Sequence, residues 1–485
     1  MKRILIIGGG VAGLSAGIFA RLHGFEACVF ERCEVAGGNL TGWQRGEYHV
    51  DNCIHWLTGT NPASATYRLW EELGVLGDVE VMQSESLYTC EVAGERLTLW
   101  RDLDRLEREM LALSPADARY TRRFCADVRL AQRMLGIGGK EHNEKSGTVE
   151  NLRAVPRLLR YSRLDVGSYA ARYSHPLIRA FLTSLLTPRF GVLALFCVFA
   201  HYTADNGGIP RGSSCGMAER MVERFLSLGG ELQLGKEAVK IRREGRFACE
   251  VCFADGTRAA GDYVVLTTDP AVTFGRLLDA PMPPQLERLY RNPRLFRFSG
   301  YHCAFACDVP SLPFQGDFIT PLSPNDQAML GTRDLILREF SHEPRFAPAG
   351  HSILQTMAFC DEDAARDFVA LRREGERYAA RKKEIAAHTE RLICAQFPEL
   401  VGKISLLDVW TPASYHRYVG SEIGSYMGFA FGGGVLPLAV SNRVRALENV
   451  LLATQWLQAP GGLPIAAKSG KEAIAAIRKR EERST

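Results

Sequence analysis

Three glycines near the start of the chain have the spacing of a phosphate-binding turn. Gly8, Gly10 and Gly13 follow an apolar run at 3–7 and precede a helical stretch at 14–23. In such a turn the first glycine allows the tight bend, the second lets a pyrophosphate approach the backbone, and the third lets the helix pack on the strand. Free N–H groups at the start of the helix attract phosphate oxygens. The spacing therefore predicts a dinucleotide site.

An acidic residue stands where such a site needs one. Glu31 follows a second apolar stretch at 26–30, and it lies about 20 residues beyond the glycines. A carboxylate there can accept hydrogen bonds from the ribose hydroxyls. A glycine fingerprint alone is weak evidence, but strand, turn, helix and acid occur together here. We therefore predict dinucleotide binding rather than an ordinary glycine turn.

A second glycine-rich loop follows at 36–42, and the segment 51–55 lies beyond it. With the first turn, these residues resemble the flavoprotein superfamily that contains phytoene desaturases, carotenoid isomerases, retinol saturases and amine oxidases. In that superfamily an arginine often follows the paired glycines, whereas this chain has Asn39. Asp51 and His55 match the pattern of the desaturase and saturase branch. The resemblance implies that the dinucleotide is FAD.

The C-terminal region resembles the closing motif of the same superfamily. A buried strand at 449–456 leads through the turn 459–464 into a helix predicted at 465–478. Ligands of open α/β sheets bind beyond the carboxyl ends of the strands. The resemblance implies that the start of this helix faces the flavin, where its partial positive charge favours the reduced anion. Gln455 stands where an aspartate is common.

The resemblance implies cofactor contacts at both ends of the chain. No cysteine lies in the closing motif, so we expect the FAD to be held non-covalently. The implied contacts are Gly8, Gly10, Val11, Ala12, Gly13, Glu31, Arg32, Gly38, Asn39, Leu40, Val239, Thr454, Gln455, Gly462 and Leu463. No metal site is predicted, because the one CxxC pair lies in a strand-like run without a second pair.

The predicted reaction is hydride transfer to or from a carbon–carbon bond of an apolar, polyene-like or isoprenoid-like substrate. His55 is the acid–base candidate, because the resemblance puts it in the flavin pocket and a histidine exchanges protons near neutral pH. A structural histidine is the alternative. No second glycine fingerprint follows a strand, so we expect a diffusible electron partner. The alternative functions are a polyene cis–trans isomerase without net redox, an amine oxidase and a non-catalytic flavin-binding escort protein.

The strands and helices predicted around these residues indicate an α/β fold. Two domains are expected, since a chain of 485 residues is too long to fold around one small core. The resemblance implies a Rossmann-type FAD-binding domain, a parallel sheet plus a β-meander, with an inserted α+β substrate domain. The FAD-binding domain is predicted at 1–65, 205–290 and 405–485. The substrate domain takes 66–204 and 291–404.

Several local predictions accompany this division. A helix is expected at 115–134 with Ser114 as its N-cap, and one continuous charged helix at 364–396. The meander is expected to include the stretch 263–267. The aromatic residues at 410–418 suit either a substrate tunnel wall or ordinary packing between domains.

Composition excludes several classes of protein. With 46% hydrophobic and 24% charged residues the chain is globular, and a net charge of +4 gives no sign of nucleic-acid binding. The 13 scattered cysteines and the absence of a signal-like start predict a cytoplasmic location. Four arginines recur at helical spacing in 153–163. They suit an ordinary solvated face, with peripheral membrane contact as the alternative.

Overall fold

A five-stranded parallel sheet carries both ends of the chain. The structure is a computed structural model that describes residues 1–137, 156–435 and 439–483. Four of the strands are short, apolar and mostly buried, as expected for a sheet covered on both faces, whereas the edge strand Glu231–Gln233 is polar and partly exposed. In sheet order the strands are Glu231–Gln233, Glu26–Phe30, Arg3–Ile7, Tyr263–Leu266 and Val450–Leu452. The strand of the glycine fingerprint is therefore central.

Helix Val11–Leu22 packs closely between two other helices on this sheet. Small residues allow the approach: a Cβ added to Gly17 would lie 2.7 Å from the ring of Phe225, and one added to Gly470 would lie 2.5 Å from the carbonyl oxygen of Ala12. The partners are Ser213–Ser227 and the C-terminal helix Leu463–Glu481. The last helix of the chain is thereby fixed against the first.

A three-stranded antiparallel meander, 238–260, follows the parallel sheet's edge strand. Its strands are Ala238–Glu244, Phe247–Phe253 and Arg258–Ala260. The prediction that 263–267 belongs to the meander is wrong, because Tyr263–Leu266 pairs in parallel with Arg3–Ile7. Its residues are all buried, which suits an interior strand of the parallel sheet.

A second, seven-stranded sheet is mostly antiparallel. The one parallel pair joins Asp317–Pro321 to Ser86–Val92. The strand Ile404–Trp410 pairs with Ser299–Cys307, so the boundary predicted between 404 and 405 falls within a strand of this sheet. In sheet order the strands are Ile404–Trp410, Ser299–Cys307, Ser352–Cys360, Asp334–Glu339, Asp317–Pro321, Ser86–Val92 and Glu95–Trp100.

Helices cover the second sheet. The start of one of them and the continuity of another differ from the predictions. Pro115–Asp117 is a 3-10 turn before Ala118–Met134, and Ser114 donates to a carboxylate oxygen of Asp117 at 2.8 Å instead of accepting from the helix. The expected continuous helix at 364–396 is two helices, Glu362–Leu371 and Gly375–Gln396. The glycine that starts the second helix marks the break.

The remaining elements are short strand pairs, helices and single turns. The strands are Gly42–Arg45, Tyr48–Asp51, Leu57–Thr58, Val81–Met82, Gly207–Pro210, Leu295–Phe296 and Ala430–Phe431. The α-helices are Ala65–Glu72, Leu103–Leu113, 156–161, Val166–Ala170, Pro176–Ser184, Val192–Tyr202, Pro270–Val272, Pro284–Arg291, Pro324–Leu330 and Pro412–Tyr418. The other helical turns are Thr273–Leu277, Pro344–Phe346, Pro398–Leu400 and Gln455–Leu457.

The described residues lack two features. In ranges 1–137, 156–435 and 439–483, no helix is long and apolar enough to cross a membrane. Within the same ranges, no group of three or more His, Cys, Asp or Glu side chains could hold a metal ion. Part of the predicted arginine face, including Arg153, lies outside the described residues.

Candidate functional site

The three glycines of the first turn have different structural roles. Gly8 has φ of +108°, and a Cβ there would lie 2.3 Å from Oγ1 of Thr267. A Cβ on Gly13 would lie 1.8 Å from the carbonyl oxygen of Gly8. A Cβ on Gly10 would meet nothing closer than 3.8 Å. Packing therefore requires the outer glycines, while the middle one leaves the backbone open to a ligand at the start of helix Val11–Leu22.

Glu31 lies under the glycine turn. It is buried, and its two carboxylate oxygens accept from the backbone N–H groups of Gly9 at 2.7 Å and Cys33 at 2.9 Å. Each oxygen keeps a lone pair, so the carboxylate can still accept a ribose hydroxyl. Arg32 donates instead to the backbone carbonyls of His416 and Arg417. This arginine fixes the loop after the second strand.

The second glycine loop lies against the first. The N–H of Gly37 donates to the carbonyl of Gly9 at 2.8 Å, and a Cβ added to Gly38 would lie 3.2 Å from Cα of Gly10. Asn39 donates from Nδ2 to the carbonyl of Tyr426 at 2.6 Å. The next residue, Leu40, is fully buried and anchors the loop.

The closing motif reaches the same place from the other end of the chain. Oε1 of Gln455 accepts from the N–H of Gly462 at 2.9 Å, and Gly462, with φ of +88°, caps the helix that begins at Leu463. A Cβ on Gly461 would lie 2.9 Å from Cα of Gly428. The segment 425–428 therefore contacts both the second glycine loop and the closing motif.

The two glycine loops, the segment 425–428 and the closing motif together form what we call the flavin junction. Two polar atoms there are compatible with a bound cofactor. Oδ1 of Asn39 and Oγ of Ser425 are buried without a hydrogen-bond partner among the described residues. A buried polar atom without a partner is costly, and both atoms can bond a polar ligand. Together with the open Gly10 and the available lone pairs of Glu31, the residues present fit FAD.

A polar pocket lies between the mixed sheet and the short strands at 81–82 and 207–210. His55 contributes Nδ1, which is 2.7 Å from Oδ2 of Asp317. Arg338 is 5% exposed, lies 3.4 Å from Oδ1 of Asp317 and donates to the carbonyl of Ile54 at 2.7 Å. The pocket is lined by His55, Trp56, Met82, Ser84, Ser86, Leu87, Tyr202, Gly207, Gly208, Ile209, Gly316, Asp317, Arg338, Glu339 and His342.

The protonation states in this pocket follow from its burial and charges. Burial and the charge of Arg338 lower the pKa of His55, which Asp317 opposes only in part. Burial acts to raise the pKa of Asp317, but His55 and Arg338 outweigh it and hold that pKa below the ordinary value. Burial and Arg338 also lower the pKa of His342 to about 4. At neutral pH both imidazoles are uncharged and Asp317 is a carboxylate.

A hydrogen-bond network holds the segment just before His55 against the second glycine loop. Asn52 donates to the carbonyl of Asn39 at 3.0 Å and accepts from the hydroxyl of Tyr415 at 3.0 Å. That hydroxyl also lies 2.9 Å from Nε2 of His302 and accepts from Trp410 at 3.2 Å. The aromatic residues predicted around 410–418 therefore hold the segment between the two sites.

Asp51 also holds the segment 51–55 in place. It is fully buried, and it accepts from the N–H of Ser214 at 2.8 Å and from its hydroxyl at 2.6 Å. Burial raises the pKa of Asp51 to about 6, against the bonds from Ser214 and the charge of Arg338. The serine at the start of helix Ser213–Ser227 thus anchors the segment that carries His55.

Comparison with known proteins identifies the family. Residues 11–478 match the family of flavin containing amine oxidoreductases. The chain belongs to this family. It is an FAD-dependent oxidoreductase, and the fit of the glycine loops to FAD agrees with that assignment.

Relatives of this flavoenzyme are distant. It is 25% identical over 311 residues to a neurosporene-forming phytoene desaturase of Rhodobacter capsulatus, across 57% of this chain and 54%, about half, of the relative. It is 22% identical to a 4,4'-diapolycopene oxygenase of Methylomonas sp. across 97% of both chains. It is 21% identical to a chloroplastic prolycopene isomerase of Arabidopsis thaliana, across 87% of this chain and 73% of the relative.

Solved structures share the fold. An oxidoreductase from Methanosarcina mazei superposes with a TM-score of 0.64 at 18% identity, over 98% of this chain and 100% of the other. Cyclohexylamine oxidase from Brevibacterium oxydans gives 0.61 at 15% identity, over 99% of both chains. At this level of identity the likeness establishes the fold alone.

The structure brings most predicted cofactor residues of the flavoenzyme together. The two glycine loops and Glu31 contact one another, and the segment 425–428 joins the second loop to the closing motif. Val239 lies in the first meander strand and is 37% exposed. The chain enters this strand from Lys236, whose N–H donates to the carbonyl of Glu31 at 2.8 Å, and a cofactor contact at Val239 stays a prediction. Sequence reasoning missed Asp317 and Arg338, since they lie far along the chain in ordinary strands without a motif.

Proposed function

We propose that this FAD-dependent oxidoreductase moves hydride to or from a carbon–carbon bond of an apolar, polyene-like substrate. The observation that carries the proposal is an aromatic path away from the flavin junction. Tyr426, whose carbonyl binds Asn39, lies edge-on to Phe298 at 5.5 Å. Phe298 contacts Phe190 at 5.7 Å. The path continues into a large buried cluster that includes Phe181, Phe196 and Phe199.

A site opened among these aromatic and aliphatic side chains would suit a long hydrocarbon better than a polar metabolite. Trp456, in the closing motif, belongs to the same cluster and lies edge-on to Phe429 at 5.0 Å. The names of the relatives, a phytoene desaturase and a diapolycopene oxygenase, point the same way. The substrate would then enter from the side of the mixed sheet, and a diffusible partner would exchange the electrons.

The proposed architecture is a Rossmann-type FAD-binding domain with an inserted substrate domain. The parallel sheet, the meander and the closing motif form the first, at 1–65, 205–290 and 405–485. The mixed sheet and its helices form the second, at 66–204 and 291–404, with the strand Ile404–Trp410 completing its sheet.

The chain's own residues have distinct roles in this proposal. FAD, when bound, supplies hydride acceptance or donation. The turn at Gly8–Gly13 and Glu31 would hold its nucleotide half, and the start of helix Leu463–Glu481 would place partial positive charge near the flavin ring. The aromatic path excludes water. His55 would give or take the proton that accompanies the hydride.

Cis–trans isomerisation of a polyene is the second candidate. The observation that favours it is the 21% identity to prolycopene isomerase over 87% of this chain. The same aromatic path would hold the substrate, and the reaction would end without net redox. Amine oxidation has support from the family name and from cyclohexylamine oxidase as a structural neighbour.

The test is an anaerobic spectral titration of the purified flavoprotein. The visible spectrum is recorded for the oxidised protein and after chemical reduction, and a panel of polyenes, enones and amines is added to each form. Reoxidation of the flavin by a polyene, or bleaching of oxidised flavin by a more saturated partner, would support the proposal. Unchanged flavin with isomerised product would support the second candidate, and a response to amines alone would contradict both.

A further inference from the structure

The pocket beside His55 is more polar than a pure hydrocarbon requires. We propose that it binds the hydroxyl group of an otherwise apolar substrate, with Nε2 of His55 accepting the hydroxyl hydrogen. This inference rests on the proposed function for the apolar part of the substrate. It adds a specificity-determining role to His55, whose proton exchange with the reacting carbon would then pass through the bound hydroxyl, and it makes Asp317 a positioning residue.

The geometry fixes which nitrogen of His55 accepts. Nδ1 lies 2.7 Å from the carboxylate of Asp317. A carboxylate only accepts hydrogen bonds, so Nδ1 of the uncharged ring carries the hydrogen and Nε2 is left as an acceptor. Nε2 has no hydrogen-bond partner among the described residues, and His55 lines the pocket. A donor from the substrate is therefore the group that this nitrogen can bind.

The charges around the pocket disfavour an anionic group. Arg338 lies beside Asp317, so one positive and one negative charge are paired there. His342, the other imidazole of the pocket, lies 3.5 Å from the hydroxyl of Ser213. Glu339, which accepts from the N–H groups of Gly316 and Ser341, adds a second carboxylate. A carboxylate substrate would be repelled by this excess negative charge, whereas a hydroxyl can offset its desolvation by donating to Nε2 of His55.

The pocket is close enough to the flavin junction to serve the same substrate. Asn52, three residues before His55, bonds the backbone of Asn39. Three residues of extended chain span at most about 10 Å. A substrate with its hydroxyl at His55 and its hydrocarbon part along the aromatic path would thus pass the junction.

Calorimetric titration of the holoenzyme with three matched isoprenoids tests the inference. Farnesol donates a hydrogen bond, farnesyl methyl ether can only accept one, and farnesene does neither. We expect farnesol to bind about tenfold more tightly than the ether or the hydrocarbon. Equal affinities, tighter binding of the ether, or no binding of any of the three would overturn the proposal.

Asp317→Asn gives a sharper test because it should reverse the hydrogen on His55. The side-chain oxygen of the new amide will face the donor Arg338, so its NH2 group will face Nδ1 of His55. Nδ1 must then accept, and Nε2 becomes the donor. An ether and an alcohol can both accept from that donor. The ratio of the two affinities should therefore fall from about ten toward one.

A second His–Asp pair supplies the matched control. His388 lies 2.9 Å from Asp326, away from the pocket, and Asp326→Asn removes the same charge there. This control should keep the preference of the wild type for farnesol. A fall in the control equal to that in Asp317→Asn would contradict the assignment.

If Asp317→Asn does not fold, His55→Leu replaces it. Loss of the acceptor should bring farnesol to the affinity of farnesene, and a retained preference would overturn the proposal. Because these titrations measure binding, they separate the inference from the proposed function. A flavin that responds to no polyene alongside a preserved preference for farnesol would contradict the reaction and leave the pocket assignment standing.

Discussion

The flavin junction and the polar pocket differ in which atoms form them. The junction is built from main-chain groups of glycine turns, held by close backbone contacts such as that between Gly13 and Gly8. The pocket is built from side chains, with His55 paired to Asp317 and Arg338 from the mixed sheet. A main-chain site binds a constant cofactor and tolerates little change. A side-chain site can be altered residue by residue, which suits a substrate that differs between relatives.

Substitution in the glycine turn should have the largest effect. A Cβ on Gly13 would lie 1.8 Å from the carbonyl oxygen of Gly8. That oxygen belongs to the backbone and cannot move aside. Gly13→Ala should therefore yield protein without flavin, mostly insoluble. The control is Gly275→Ala, where nothing lies within 4 Å. Flavin content per chain measures the result, and a normal content in Gly13→Ala would contradict this description of the turn.

Removal of Arg338, the buried cation of the pocket, should have the next largest effect. Arg338→Met leaves Asp317 without its charge partner, which should lower the free energy of unfolding by about 3–5 kcal/mol. Arg377→Met breaks an exposed ion pair with Glu374 and should cost about 1 kcal/mol or less. Urea unfolding of the two variants gives the comparison. Similar losses would show that the pocket's charges are not desolvated as the structure indicates.

The segment joining the two sites should show a pH-dependent effect. Burial raises the pKa of Asp51 from 3.8 to about 6. The folded state thus holds this proton more tightly than the unfolded state, so the contribution to stability is present at low pH and declines as pH rises from about 4 to about 6. The decline amounts to about 3 kcal/mol.

Asp51→Asn should remove that decline. The free energy of unfolding of the wild type, relative to the variant, should fall across this pH range in urea titrations. A constant difference between the two proteins would mean that Asp51 titrates near its ordinary pKa.

The smallest effect is expected at the closing motif. Gln455 accepts one backbone N–H, that of Gly462, so Gln455→Leu should cost about 1 kcal/mol. Gln455→Glu, which keeps an acceptor, is the matched variant. Thermal unfolding of the holoproteins checks the pair, and equal melting temperatures for both variants would show that this bond does not fix the turn.

The difference between the sites also explains what the sequence could predict. Gly8, Gly10, Gly13 and Glu31 are constrained by backbone geometry within one βαβ unit, so their spacing is visible in the chain. The pairing of His55 with Asp317 spans 262 residues and depends on how the segment that carries His55 packs against the mixed sheet. The same limit explains the wrong assignment of 263–267 to the meander, since an apolar run does not state which strand it pairs with.

The most direct test of the account compares anaerobic flavin spectra of wild type and His55→Leu with the substrate found in the panel. We expect the same flavin content in both proteins. Flavin bleaching or reoxidation should be at least about 100-fold slower in the variant. Loss of flavin from the variant would mean that the pocket is part of the cofactor site. An unchanged rate would contradict the role of His55 in the reaction.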